Sequence, residues 1–157
     1  MRLRPIAVSL AVLAAGAAVA LPIASGGAQS APRTIKVTFG GSEKMFLDDA
    51  APRTLKRGRL TLGDRIVGTQ PVRIDGKPGT LHTDATVTNR RPTTFAHFTS
   101  LLQGTLHTAD GDLYFIGFVD AANGGDRSAI VGGNGQYAGA RGNVVGSEKG
   151  AVITLEP

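Results

Sequence analysis

The chain has 157 residues, among them 22 glycines, eight prolines and no cysteine, so disulfides and thiolate metal sites are excluded. Its formal charge of +5 comes with six Phe, two Tyr and no Trp. A nucleic-acid partner is therefore not expected, because such a surface needs clustered basic residues interleaved with stacking aromatics.

In chain order, Arg2 and Arg4 precede an apolar, uncharged run over residues 6–21 that Pro22 breaks. Small residues follow, with Ala28-Gln29-Ser30 as a small-x-small cleavage site before Ala31. This reads as a secretory signal peptide over residues 1–30, followed by one domain over residues 31–157 that is exported and not stably inserted in a membrane. An uncleaved anchor is the alternative, since the apolar run is slightly long for the core of a signal peptide.

Beyond residue 31 no stretch has helical periodicity. Residues 34–39 read as a strand, with Ile35, Val37 and Phe39 on one face. Residues 40–62 form the least regular part, a long loop with one short strand or turn, carrying Asp48-Asp49, Pro52 and the basic cluster Arg53, Lys56, Arg57 and Arg59. Residues 65–72 form a short strand bent at Pro71, and Asp75-Gly76-Lys77-Pro78-Gly79 is dense turn chemistry. Residues 80–88 alternate, setting Leu81, Thr83, Ala85 and Val87 against His82, Asp84, Thr86 and Thr88. Residues 95–108 are extended with a break near Ser100, and residues 112–119 are the most apolar strand.

Between those two strands lies Asp110-Gly111, the dipeptide favoured in a two-residue hairpin turn. Centring the turn on it places His107 opposite Tyr114, Thr105 opposite Ile116 and Gln103 opposite Phe118. The other face then pairs Leu106 with Phe115 and Leu102 with Val119. A polar loop over residues 121–126, a strand over 127–131 and a final hairpin of residues 136–145 and 150–155 complete the chain. Short strands with turns at this spacing indicate an all-β sandwich or a closed antiparallel barrel, and closure abolishes exposed edges.

"AIVGGNGQYAGARGNVV", residues 129–145, contains a G-x-G-x-x-A string at Gly133, Gly135 and Ala138. A dinucleotide site would need a helix after that turn, and Gly139 and Gly142 would each cost such a helix about 1 kcal/mol. Only fifteen residues follow Gly142, too few for the rest of the unit, so no nucleotide cofactor is expected. The glycines fit a tight turn at Gly132, Gly133 and Gly135, and bends in a curved sheet at Gly139 and Gly142.

The same stretch, with Tyr137 and Arg141 inside it, resembles the A-I-x-G-G-[ST]-G-x-[YF]-x-G-A-x-G-x-V signature of the allene oxide cyclase/dirigent barrel superfamily. Gly63-Asp64-Arg65-Ile66-Val67 resembles that superfamily's G-D-x-[FWY]-[VI]-F motif, and Gly79-Thr80-Leu81-His82 its G-x-[LC]-[HQ] pattern. The likeness covers roughly residues 60–155, with Asn134 where Ser or Thr is usual. It implies an eight-stranded antiparallel β-barrel, often a homotrimer, that binds a small hydrophobic molecule in its lumen and steers its cyclisation or coupling without a redox cofactor.

Gln103, His107, Tyr114, Ile116 and Phe118 share one expected face, and His82 and Asp84 share another. If these faces line the lumen they form a ligand site of a few polar groups in an apolar pocket; if they face solvent they are surface residues. The ligand-site expectation places all seven around the lumen. Arg141 is expected to anchor a carboxylate such as Asp64 or Asp126 at the rim. The spacings of His82, His97 and His107 match no zinc pattern, and Ser100, Ser128 and Ser147 lack a nucleophile-elbow context. Two functions remain: a small-molecule barrel, or a non-catalytic interaction domain at the cell surface with an apolar outer patch around Leu106, Leu113 and Phe115. A third idea assigns binding of an anionic polymer or lipid to the Arg53–Arg59 cluster.

Overall fold

A computed structural model describes residues 31–51, 58–123, 127–147 and 149–157. The expected signal segment, most of the basic cluster and Asp126 lie outside them. The described strands are β1 (Arg33–Phe39), β2 (Lys44–Asp48), β3 (Arg65–Ile74), β4 (Lys77–Val87), β5 (Thr99–Thr108), β6 (Gly111–Asp120), β7 (Arg127–Gly133), β8 (Gly142–Ser147) and β9 (Gly150–Leu155). All pairings are antiparallel, in the order β1-β9-β8-β7-β6-β5-β4-β3. Val37 opposite Ile74 and Phe39 opposite Val72 join β1 to β3 and close an eight-stranded barrel. The extra strand, β2, continues the line of β1 along the remaining half of β3, from Lys44 opposite Thr69 to Asp48 opposite Arg65.

Alternation decides which side chains enter the barrel. Ile35, Val37, Val72, Ile74, Leu106, Leu113, Ile130, Ile153 and Leu155 pack inside its upper half, around Tyr137. Leu60, Val87, Phe98 and Val119 pack at the lower end. Arg33 lies over the Tyr137 ring, 5.5 Å from its centroid.

Four details differ from the sequence expectation. Pro71 does not end β3, which runs on to Ile74: its carbonyl accepts from Gly40 N–H at 2.9 Å, so its nitrogen faces the break between β1 and β2, where no ladder donor is needed. The expected five-residue turn after Ile74 is a two-residue turn at Asp75-Gly76, whose φ angles of 48° and 84° are those of type I′, and Pro78 and Gly79 belong to β4. The β5–β6 turn centres on Ala109-Asp110, with Thr108 opposite Gly111. Thr108 Oγ1 accepts from Asp110 N–H at 3.0 Å and donates to the Gly111 carbonyl at 2.8 Å. Gly111 is consumed elsewhere, since a Cβ there would come within 2.4 Å of the Asn134 carbonyl. Finally, residues 136–141 do not form a strand. Gly135–Tyr137 is a 3₁₀ turn, Gly139 lies beyond it at φ 76°, and β8 begins only at Gly142.

Asp64, next to the glycine of its motif, is fully buried at the lower end. Its carboxylate accepts from Ala50 N–H and Thr61 N–H, each at 2.8 Å, and from Thr61 Oγ1 at 3.2 Å. It thereby ties the segment entering β3 to the segment leaving β2. Asp64→Ala leaves two backbone donors without their acceptor and is expected to lower stability by about 2–4 kcal/mol. Asp64→Asn, which keeps one acceptor oxygen, should lose about half as much in the same urea titration.

Candidate functional site

Because the true β5–β6 register differs from the expected one by two residues, every side chain keeps its face. The face carrying Leu102, Leu106, Leu113 and Val119 is the interior. Gln103, His107, Tyr114, Ile116 and Phe118 therefore point outward, as do His82 and Asp84 on β4, beside inward-facing Ala85 and Val87. The expectation that these seven line the lumen is corrected. The patch proposed around Leu106, Leu113 and Phe115 is corrected with it: Leu106 and Leu113 are buried, and Phe115 packs against that core.

The outward set forms two neighbouring rungs across the sheet. His82 lies opposite Thr105, Thr105 opposite Tyr114, and Tyr114 opposite Gly132. One step lower, Val67 lies opposite Asp84, Asp84 opposite Gln103, Gln103 opposite Ile116, and Ile116 opposite Ala129. Val67, His82, Asp84, Gln103, Thr105, Tyr114 and Ile116 of these rungs, together with Val131, line an open groove of about 450 Å³. Val131 reaches it because β7 bulges there: Tyr114 pairs with Gly132 but Phe115 pairs with Ile130. Gly132 adds room, since the nearest atom to a Cβ there would be Tyr114 Cδ2 at 3.7 Å. Phe118 shares the outward face but pairs with Leu101 below the groove.

A hydrogen-bonded network borders the groove. His107 Nδ1 lies 2.7 Å from Asp112 Oδ1. Asn134 Oδ1 accepts from Asp112 N–H at 2.8 Å, and Asn134 Nδ2 donates to Asp112 Oδ2 and to the Tyr114 hydroxyl oxygen, each at 3.0 Å. The Asn134 hydrogen bond first, and then the one from His107, hold the Asp112 carboxyl below the usual carboxylate range. The His82 and His107 rings meet edge-on with centroids 5.0 Å apart, and His82 Nδ1 lies 3.1 Å from Thr69 Oγ1. Asp84 is paired with Arg65, which its hydrogen bond and charge hold more firmly protonated.

Sequence reasoning brought together His82, Asp84, Gln103, Tyr114 and Ile116, but missed Asp112, Asn134, Val67 and Val131. The two-residue register error hid Asp112, which is the residue directly opposite His107. Asn134 did carry a signal, as the departure from Ser or Thr in the glycine signature. Arg141 does not hold Asp64, which lies at the other end of the barrel; its guanidinium donates to the Ala140 carbonyl at 2.8 Å. His97 sits in the turn before β5, and among the described residues no group of three or more His, Asp or Glu side chains is arranged to hold a metal ion.

A further carboxylate was hidden in the irregular loop. Glu43 lays its carboxyl group over Gly68, where a Cβ would meet Glu43 Oε1 at 2.6 Å and Thr83 Oγ1 at 2.5 Å. The residue as a whole is exposed, while partial burial of its carboxyl group pushes its pKa above the ordinary 4.5. For a carboxyl raised on folding, stability falls as pH climbs from that ordinary value through the higher folded value, and is level above it. Glu43→Gln is therefore expected to raise the melting temperature at pH 7 and to leave it unchanged at pH 3.5, as read by thermal denaturation at the two pH values.

Fold and site define a closed antiparallel β-barrel with a mixed polar and apolar groove on its outer wall. A solved structure with a similar fold is pyocyanin demethylase, which superimposes with a TM-score of 0.56 at 19% sequence identity, over 80% of this chain and 98% of that one. The likeness is one of fold. No family model and no curated protein matches the sequence.

Proposed function

We propose that this barrel binds a small, largely apolar organic molecule in the groove over β4, β5 and β6. One observation carries the reading. Residues from five strands converge on a single recess of about 450 Å³, with Tyr114, Gln103 and His82 set among Val67, Ile116 and Val131. That size and that mixture of polar groups with apolar side chains suit a small-molecule site. Holding a reactive molecule in one conformation would steer its cyclisation or coupling by lowering the entropic part of the barrier, the role implied by the allene oxide cyclase/dirigent resemblance. Because the fold neighbour is named for its action on pyocyanin, pyocyanin is one compound to offer the groove. Export with removal of residues 1–30 is part of the reading, and the intact mass of the mature protein, beginning at Ala31, tests it.

Native mass spectrometry of protein purified from its own host tests the binding. The expected result is one small molecule per chain, lost in Ile116→Asp. An unliganded wild type, or an adduct that persists in Ile116→Asp, would overturn the reading.

A second reading, an interaction module, draws on a separate observation. Leu101, Phe118, Val145 and Val152 expose between 44% and 50% of their surface on the outer wall, more than scattered surface apolars require. Self-association through this wall would form the homo-oligomer that the resemblance implies. The same mass spectra report it, and Phe118→Asp should return the protein to a monomer.

A further inference from the structure

We infer that Tyr114 is the hydrogen-bond donor that selects the ligand, and that the groove takes a flat apolar molecule carrying an exposed oxygen acceptor, a carbonyl or a phenolate. This inference rests on the groove reading above. It follows from the orientation of the Asn134 amide. Asn134 Oδ1 accepts from Asp112 N–H, and Nδ2 faces both Asp112 Oδ2 and the Tyr114 oxygen. The flipped amide would set donor against donor at Asp112 N–H and acceptor against acceptor at the Asp112 carboxylate. One Nδ2 hydrogen is thus given to Asp112 and the other to the Tyr114 oxygen.

The phenol is consequently an acceptor toward the protein. Among the described residues nothing takes its own hydrogen, which is left to donate into the groove that Tyr114 lines. Gln103, Thr105 and His82 also line the groove with donors; Tyr114 is set apart because the Asn134 amide fixes its oxygen. Asp84 is an acceptor already paired with Arg65, and Thr69 stands beside His82 Nδ1. Ile116 and Val131, which line the same groove as Tyr114, supply an apolar bed on which a planar ring can lie. The Asp112 carboxylate, held ionised, anchors the amide that fixes the phenol. Asn134 is therefore a positioning residue for Tyr114.

Two probes of matched shape test the inference: 2-acetylnaphthalene, which carries a carbonyl, and 2-ethylnaphthalene, which does not. Binding is read from the amide signals of Ile116 and Val131 in wild type and in Tyr114→Phe. A neutral hydrogen bond of this kind predicts that wild type prefers the ketone by about three- to tenfold, and that Tyr114→Phe binds both probes with a ratio near one. If the preference survives in Tyr114→Phe, Tyr114 is not the donor. If wild type binds both probes equally, the inference fails while the groove reading stands. If neither probe shifts those signals, both fail together.

Discussion

Replacing Leu113 by alanine is expected to destabilise the protein by about 2–5 kcal/mol, whereas Tyr114→Phe, the next residue along β6, should change stability by about 1 kcal/mol or less. Leu113 is fully buried and belongs to the upper core cluster with Leu106, Ile130 and Tyr137. Truncating it removes buried methyl groups and leaves a cavity that a closed barrel can collapse only in part. Tyr114 is 38% exposed, and the change to phenylalanine removes one hydrogen bond at the surface. Urea denaturation of both variants measures the contrast. A large loss for Tyr114→Phe with a small one for Leu113→Ala would reverse the assignment of inside and outside.

Gly142→Ala is expected to cost about 3–5 kcal/mol and to be among the most damaging single-methyl additions in the chain. Two effects combine there. Gly142 has φ 154°, which an L-residue adopts only under strain, and a Cβ would fall 2.0 Å from the Thr154 carbonyl oxygen on the adjoining strand. That carbonyl cannot retreat without disturbing the pairing of Gly142 with Leu155 that starts the β8–β9 ladder. Gly132→Ala provides the contrast, since its Cβ would make only ordinary contact and at no positive φ. It should cost about 1 kcal/mol or less while narrowing the groove beside Tyr114. Melting temperatures of the two variants separate the glycine that serves the barrel from the one that borders the site.

These contrasts also show what was legible in the sequence. Alternation in β4 and β6 is local, so it gave the strands and grouped His82 with Asp84 and Tyr114 with Ile116. Strand number and spacing narrowed the fold to an all-β sandwich or a closed barrel, and the eight-stranded barrel was what the allene oxide cyclase/dirigent resemblance implied. The sense of the faces was not legible, because both faces of β6 are rich in apolar residues and only packing against distant strands decides which is interior. The register slipped because Asp110-Gly111 is a strong turn signal, and nothing local shows that Gly111 must yield to the Asn134 carbonyl. That slip separated His107 from Asp112. Glu43 was hidden for a similar reason: Gly68, over which its carboxyl group lies, is on β3, and no spacing within residues 40–62 points to it.

On the reading proposed above, small molecules are received on the outer wall and not in the lumen. Nuclear Overhauser contacts between bound 2-acetylnaphthalene and the methyl groups of the protein test it directly. Contacts are expected to Ile116 and Val131 and none to Leu102, Leu106 or Leu113. Contacts to those three leucines, with Ile116 and Val131 silent, would place the ligand inside the barrel and contradict it.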